Sequence, residues 1–163
     1  MANIACGGAA HQILEHPVHR QVAIVVRVSD QVNRADDEGG VAELVETITN
    51  GLKEHGMESE VYTAADDHPP PPRIELDVVN WSTPLTGVAA QLFGPANGIV
   101  VDCSVFLDSN ARRTFYQRFE VSPPLVMLGG QDPAAAGGEA GAQILHRLLN
   151  PPSATKSSAA DSD

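Results

Sequence analysis

The fold of this chain turns on residues 104–120, SVFLDSNARRTFYQRFE, because the stretch fits two templates that lead to different architectures. As a β-hairpin turning at Asp108-Ser109-Asn110, it puts Phe115, Gln117 and Phe119 on one face of a strand. The chain is then an antiparallel sheet packed on helices, the form of many binding modules. As a strand entering a helix capped by Ser109, it puts Ala111, Phe115 and Phe119 on one helical side, with Arg112, Arg113, Gln117 and Glu120 toward water. The chain is then a parallel α/β domain with a ligand crevice. Spacing inside the stretch satisfies both templates.

The flanking segments supply the context. Residues 21–28, QVAIVVRV, form a β-branched apolar run suited to a strand covered on both faces. Val41, Leu44, Val45, Ile48 and Leu52 then recur at helical spacing, and Gly56 follows where a helix end favours a left-handed residue. ESEVYT reads as a second strand, and DDHPPPP as a stiff extended connection. RIELDVVNW, residues 73–81, alternates as an extra strand or extended edge segment. Thr83-Pro84 opens a helix carrying Leu85, Val88, Ala89 and Leu92, which Gly94 stops. GIVVDCSVFL and PPLVML are strand-like, and Asp132-Pro133 opens a last helix with Ile144, Leu145, Leu148 and Leu149 on its apolar side.

Strand and helix therefore alternate, as in a parallel sheet. Only a helix over 110–120 returns the chain so that PPLVML enters parallel to GIVVDC. The expectation is a doubly wound α/β domain over residues 20–150, with strands 21–28, 99–107 and 124–128 parallel. Residues 1–19 are expected to be a loosely ordered leader and 151–163 a disordered tail.

Charge limits the partners. Ten Lys and Arg against 21 Asp and Glu leave a formal charge of −11, which opposes nucleic acid and anionic membrane. Two cysteines make no disulfide framework, and no apolar run approaches the roughly 20 residues that span a bilayer. A cytoplasmic protein is the default expectation. NIAC-GG at residues 3–8 also has the form of a lipoprotein processing site, with Asn where Leu is usual. His11, His16 and His19 lack the i, i+4 spacing of a helical metal pair, so no metal site is expected. Cys103 shares a strand face with Val101 and Val105 and reads as a core residue rather than a nucleophile.

GPANGIVVDCSVFLDSNARRTFYQRF followed by PPLVMLGGQDPAAAGGEAGAQIL resembles the second half of the flavodoxin-like, NAD(P)H-dependent FMN reductase family. GGVAELVETITNGLKEHGMESEVYTAAD is similar to that family's first helix and second strand. The resemblance covers roughly residues 21–149 and implies a parallel sheet of order 2-1-3-4-5, here truncated to four or five strands. It implies FMN as cofactor, with Ser29, Gly39, Gly40 and Val41 at the phosphate, Phe106, Asp108 and Ser109 on one side of the ring, and Gly129, Gly130 and Gln131 on the other. The implied activity is hydride transfer from NAD(P)H to a quinone, flavin or similar small-molecule acceptor. The missing last strand leaves an edge that predicts a homodimer.

This chain departs from the family at Gly39-Gly40-Val41, where Gly-Asn-Thr is usual, and in the acidic loop SDQVNRADDEGG before it. Two alternatives therefore stay open. One is a flavodoxin-like domain without flavin that serves binding or assembly, and the other is an antiparallel α+β envelope lipoprotein module, which the hairpin template would give.

Overall fold

The computed structural model describes residues 13–14, 20–29, 32, 34–64, 68–81, 99–108, 112–121 and 133–150. Five strands and two helices follow in the order β1 (Gln21–Val28), α1 (Arg34–Glu54), β2 (Glu58–Tyr62), β3 (Arg73–Trp81), β4 (Ile99–Phe106), β5 (Phe115–Val121) and α2 (Pro133–Leu149). They build one sheet of order β2-β1-β3-β4-β5. β1 pairs in parallel with β2 and β3, whereas β4 pairs antiparallel with both β3 and β5. The sheet is mixed, and β4 alone runs against the other four strands.

This corrects the expected fold. The neighbour order 2-1-3-4-5 is numerically the expected one, but β3 is the 73–81 segment, which the alternation argument had treated as optional. Its insertion beside β1 turns GIVVDCSVF into an antiparallel fourth strand. Residues 115–121 then return as β5 of a hairpin, with Val105 opposite Phe115 and the Thr114 N–H donating to the Val105 carbonyl at 2.7 Å. The helix expected over 110–120 is absent from the described part, and a doubly wound parallel sheet with it. The period-2 template wins because Phe119 and Val121 are buried while Tyr116, Arg118 and Glu120 are exposed. The expected helix at 83–94 and the strand at 124–128 lie outside the described residues.

Alternation on the strands sorts the two faces. Val22, Ile24 and Val26, Ile74, Leu76 and Val78, and Val101, Cys103 and Val105 are all buried on the face covered by the helices. α1 adds Leu44, Ile48 and Leu52, and α2 adds Ala140, Ile144 and Leu148. Leu14 is also fully buried, held where the Ile13 and Leu14 N–H groups both donate to the Leu148 carbonyl at 3.2 Å. α1 ends as its sequence requires. Gly56 takes φ 76°, the Met57 N–H donates to the Leu52 carbonyl and the Gly56 N–H to that of Lys53, each at 2.9 Å. That is the paired hydrogen-bond pattern of a left-handed helix stop.

The two helices touch through glycines. A methyl group on Gly137 would overlap the Gly40 carbonyl, one on Gly141 would meet the Leu44 carbonyl at 2.9 Å, and one on Gly51 would overlap Leu145. Only residues without a Cβ permit this approach.

Candidate binding groove

The expected flavin-site residues do not converge. Ser29 follows β1, where its N–H donates to the Val78 carbonyl at 3.0 Å and its carbonyl accepts from Val32. Phe106 ends β4 opposite Arg73, whose guanidinium lies 4.1 Å from the ring centroid. Val78 and Arg73 stand at opposite ends of the matched part of β3, so Ser29 and Phe106 are separated by five strand residues, about 16 Å at ~3.3 Å each. The reversal of β4 is the cause. A crevice at a parallel sheet's carboxyl ends needs both loops at one end.

Gly39, Gly40 and Val41 lie inside α1 rather than in a loop before it. Their N–H groups are spent on the helix ladder, since the unsatisfied donors of a helix belong to its first turn. Gly39 is exposed, Gly40 is buried and Val41 packs on the core. Asp108 is exposed just past β4. Ser109, Gly129, Gly130 and Gln131 lie outside the described residues, as do Cys6 and the three N-terminal histidines.

Cys103 is fully buried, and burial, with a smaller contribution from Asp77, pushes its thiol up to about 12. It is a packing residue, not a thiolate. Among the described residues no group of three or more His, Cys, Asp or Glu side chains is arranged to hold a metal ion.

The sheet face turned away from the helices is polar on most of its strands, and its charges are paired with one another except Glu120 on β5, which makes no ion pair among the described residues. Arg27 lies 3.0 Å from Glu75 and 3.5 Å from Asp77, and Arg73 lies 2.7 Å from Glu75. Burial acts to raise the Glu75 carboxyl, but hydrogen bonds from Arg73 and Arg27 outweigh it and hold the group below its ordinary value. For Asp77 burial wins over Arg27, and its carboxyl titrates above the ordinary value. Arg118 grips Asp102 through two bonds of 2.8 Å, with the Tyr116 hydroxyl donating to the same carboxylate at 3.1 Å. Those bonds, led by Arg118, hold Asp102 below its ordinary value.

β2 breaks this pattern. Glu58, Glu60 and Tyr62 face the same side, yet among the described residues the Glu58 carboxylate has no hydrogen-bond or ion-pair partner, and Glu60 accepts only the Tyr62 hydroxyl at 2.8 Å. On the other side of the strand Val61 is 40% exposed. Among the described residues β2 pairs only with β1, and its outer edge meets no other strand.

Beside that edge lies a groove of about 330 Å³ between the start of β1, β2 and Pro69–Pro72. The proline wall is fixed by β3, because the Pro72 carbonyl accepts from the Ala23 N–H at 3.0 Å before β3 pairs along β1. The Pro71-Pro72 bond is cis. Ser59 also lines the groove, and its Oγ is buried without a hydrogen-bond partner. A buried hydroxyl left unpaired costs about 1–3 kcal/mol. Sequence reading identified β2 and the stiff proline connection separately. Their meeting was not visible, because it depends on the place of β3 in the sheet.

No family model matches the chain, and no curated protein matches it. Solved structures do. A Xanthomonas campestris protein of the family DUF330 has 15% identity over 81% of this chain and 85% of its own, with a TM-score of 0.45. A Helicobacter pylori homologue of the neuraminyllactose-binding hemagglutinin has 9% identity, 83% coverage of each chain and a TM-score of 0.43. A minor lipoprotein from Acinetobacter baumannii has 11% identity, covers 80% of this chain and 93% of its own, and gives a TM-score of 0.36. With the sheet mixed and the two ring and phosphate loops at opposite ends, the resemblance to FMN reductases and the oxidoreductase reading drawn from it are both corrected.

Proposed function

We propose that the protein is a non-catalytic α+β docking module whose working surface is the open edge of β2 with its proline-walled groove. The observation that carries this reading is the contrast across one sheet face. Arg27, Arg73, Glu75 and Asp77 on β1 and β3 pair with one another, as do Asp102 and Arg118 on β4 and β5, whereas the Glu58 carboxylate on β2 has no partner among the described residues. β2 also carries the orphaned Ser59 hydroxyl on its opposite side, and its outer edge pairs with no described strand beside a preformed concavity. An exposed strand edge is a template for another strand, with main-chain hydrogen bonds giving affinity and alternate side chains giving specificity. Rigid proline lowers the ordering cost of such a site.

The test is a backbone-amide NMR titration with three extended peptides of equal length, one basic, one neutral and one acidic. The reading expects at least one of them to shift resonances confined to residues 21–23 and 58–62. Shifts elsewhere only, or none with any peptide, would contradict it.

A further inference from the structure

The occupant of this edge can be specified further, on the footing that the β2 edge is the docking surface. We infer that it takes an extended segment of a partner protein bearing Lys or Arg at alternate positions, with apolar residues between them. The argument runs strand by strand. A segment added to β2 places its alternate side chains on the two sheet faces. On one face they stand beside Glu58 and Glu60, the latter tied among the described residues only to Tyr62. On the other they stand beside Val61, a large apolar side chain left 40% exposed at the edge. Opposite charges and apolar pairs across neighbouring strands are the favourable combinations.

A long basic side chain also suits the groove. Its methylenes can lie along Pro69–Pro72 and Tyr62 while its charge reaches the two carboxylates. The whole molecule acts in the same direction. A net charge of −11 draws a basic partner toward it and repels a second copy of itself, so the partner is a different protein. β5 is the sheet's other terminal strand, and its outer-face arginine is already committed to Asp102.

The experiment is fluorescence anisotropy of labelled peptides with the full chain. The probes are an alternating Lys-Val peptide, a composition-matched peptide with its lysines and valines in two blocks, and an alternating Glu-Val peptide. The alternating Lys-Val peptide is expected to bind tightest, and to weaken as salt rises because exposed charges are screened over about 10 Å at 0.1 M. Glu58→Gln with Glu60→Gln should weaken it about tenfold, as loss of two exposed pairs allows. Both side chains are exposed on an edge strand, so thermal melting should be unchanged by these substitutions.

Equal binding of the blocked peptide would mean that only the overall field acts, and would overturn the inference. Preference for the neutral or acidic peptide at β2 would overturn the basic partner and leave the docking surface standing. Sedimentation showing that the chain's own copies fill the edge would also overturn it. Absence of binding by every peptide would remove both.

Discussion

Two adjacent glycines show how much a residue's place matters. Gly39 and Gly40 look alike in sequence, and the resemblance to flavin reductases made both phosphate contacts. In the structure both are helical, but nothing lies within 4 Å of a Cβ built on Gly39, whereas the carbonyl of Gly40 occupies the space a Cβ on Gly137 would need. Gly39→Ala should therefore stabilise the fold by about 0.5–1 kcal/mol through helix propensity. Gly137→Ala should destabilise it by about 1–3 kcal/mol through overpacking. Thermal melting of the two variants checks both. The seam signal was present as Gly137 and Gly141, four apart, but a glycine pair gives no sign of its partner until the helices are placed. Asp102 offers a pH test. Its depressed carboxyl contributes stability that is present above the ordinary value of 3.8 and is lost as pH falls through its lower folded value. Asp102→Asn should melt below wild type at pH 7, and the gap should begin to close near pH 4 and vanish at more acid pH. A gap that persists unchanged at pH 2 would contradict this. Cys103, with its thiol pushed up to about 12, should be alkylated at pH 8 only after unfolding, as peptide mapping would report.

At the scale of elements, β1, α2 and the part of α1 from Val41 onward were legible because each carries its own apolar period, whereas the first turns of α1, residues 34–40, read as a loop. QVAIVVRV is β1 residue for residue, and Gly56 ends α1 with the hydrogen bonds its position implies. β5 was not legible, since Phe115 and Phe119 are four apart and satisfy a helix as well as a strand. What separates the templates is Val121, 2% exposed beside Phe119 at 6%, and a partner strand that runs the opposite way. β3 had the right alternation, but alternation is the same for a central and an edge strand. Position in a sheet is set by pairing, which a local pattern does not encode. The strand assignment predicts an asymmetric cost along β5. Phe119→Ala should lose about 3–5 kcal/mol as a buried aromatic is removed, by urea unfolding. Tyr116→Ala, at 47% exposure on the opposite face, should lose far less. Similar losses at the two positions would contradict the alternation.

Across the whole molecule, one reversed strand separates the two functional readings. With β4 parallel, the loops after β1 and β4 would share an end of the sheet and frame a crevice. With β4 antiparallel they stand apart, and the concavity forms instead at the other side of the sheet, where β3 seats Pro69–Pro72 against β1 and β2. The acidic balance was legible from composition alone. Its local counterpart at Glu58 was not, because only the folded sheet shows which carboxylates have arginines and which do not. The most direct measurement is segment-resolved amide hydrogen exchange of the full chain, alone and with the alternating Lys-Val peptide. An open edge strand should exchange faster than the central β3 in the free protein, and addition of the peptide should slow residues 58–62 while leaving β3 and α1 unchanged. If β2 is already as protected as β3, or if no extended peptide slows its exchange, the docking account is contradicted.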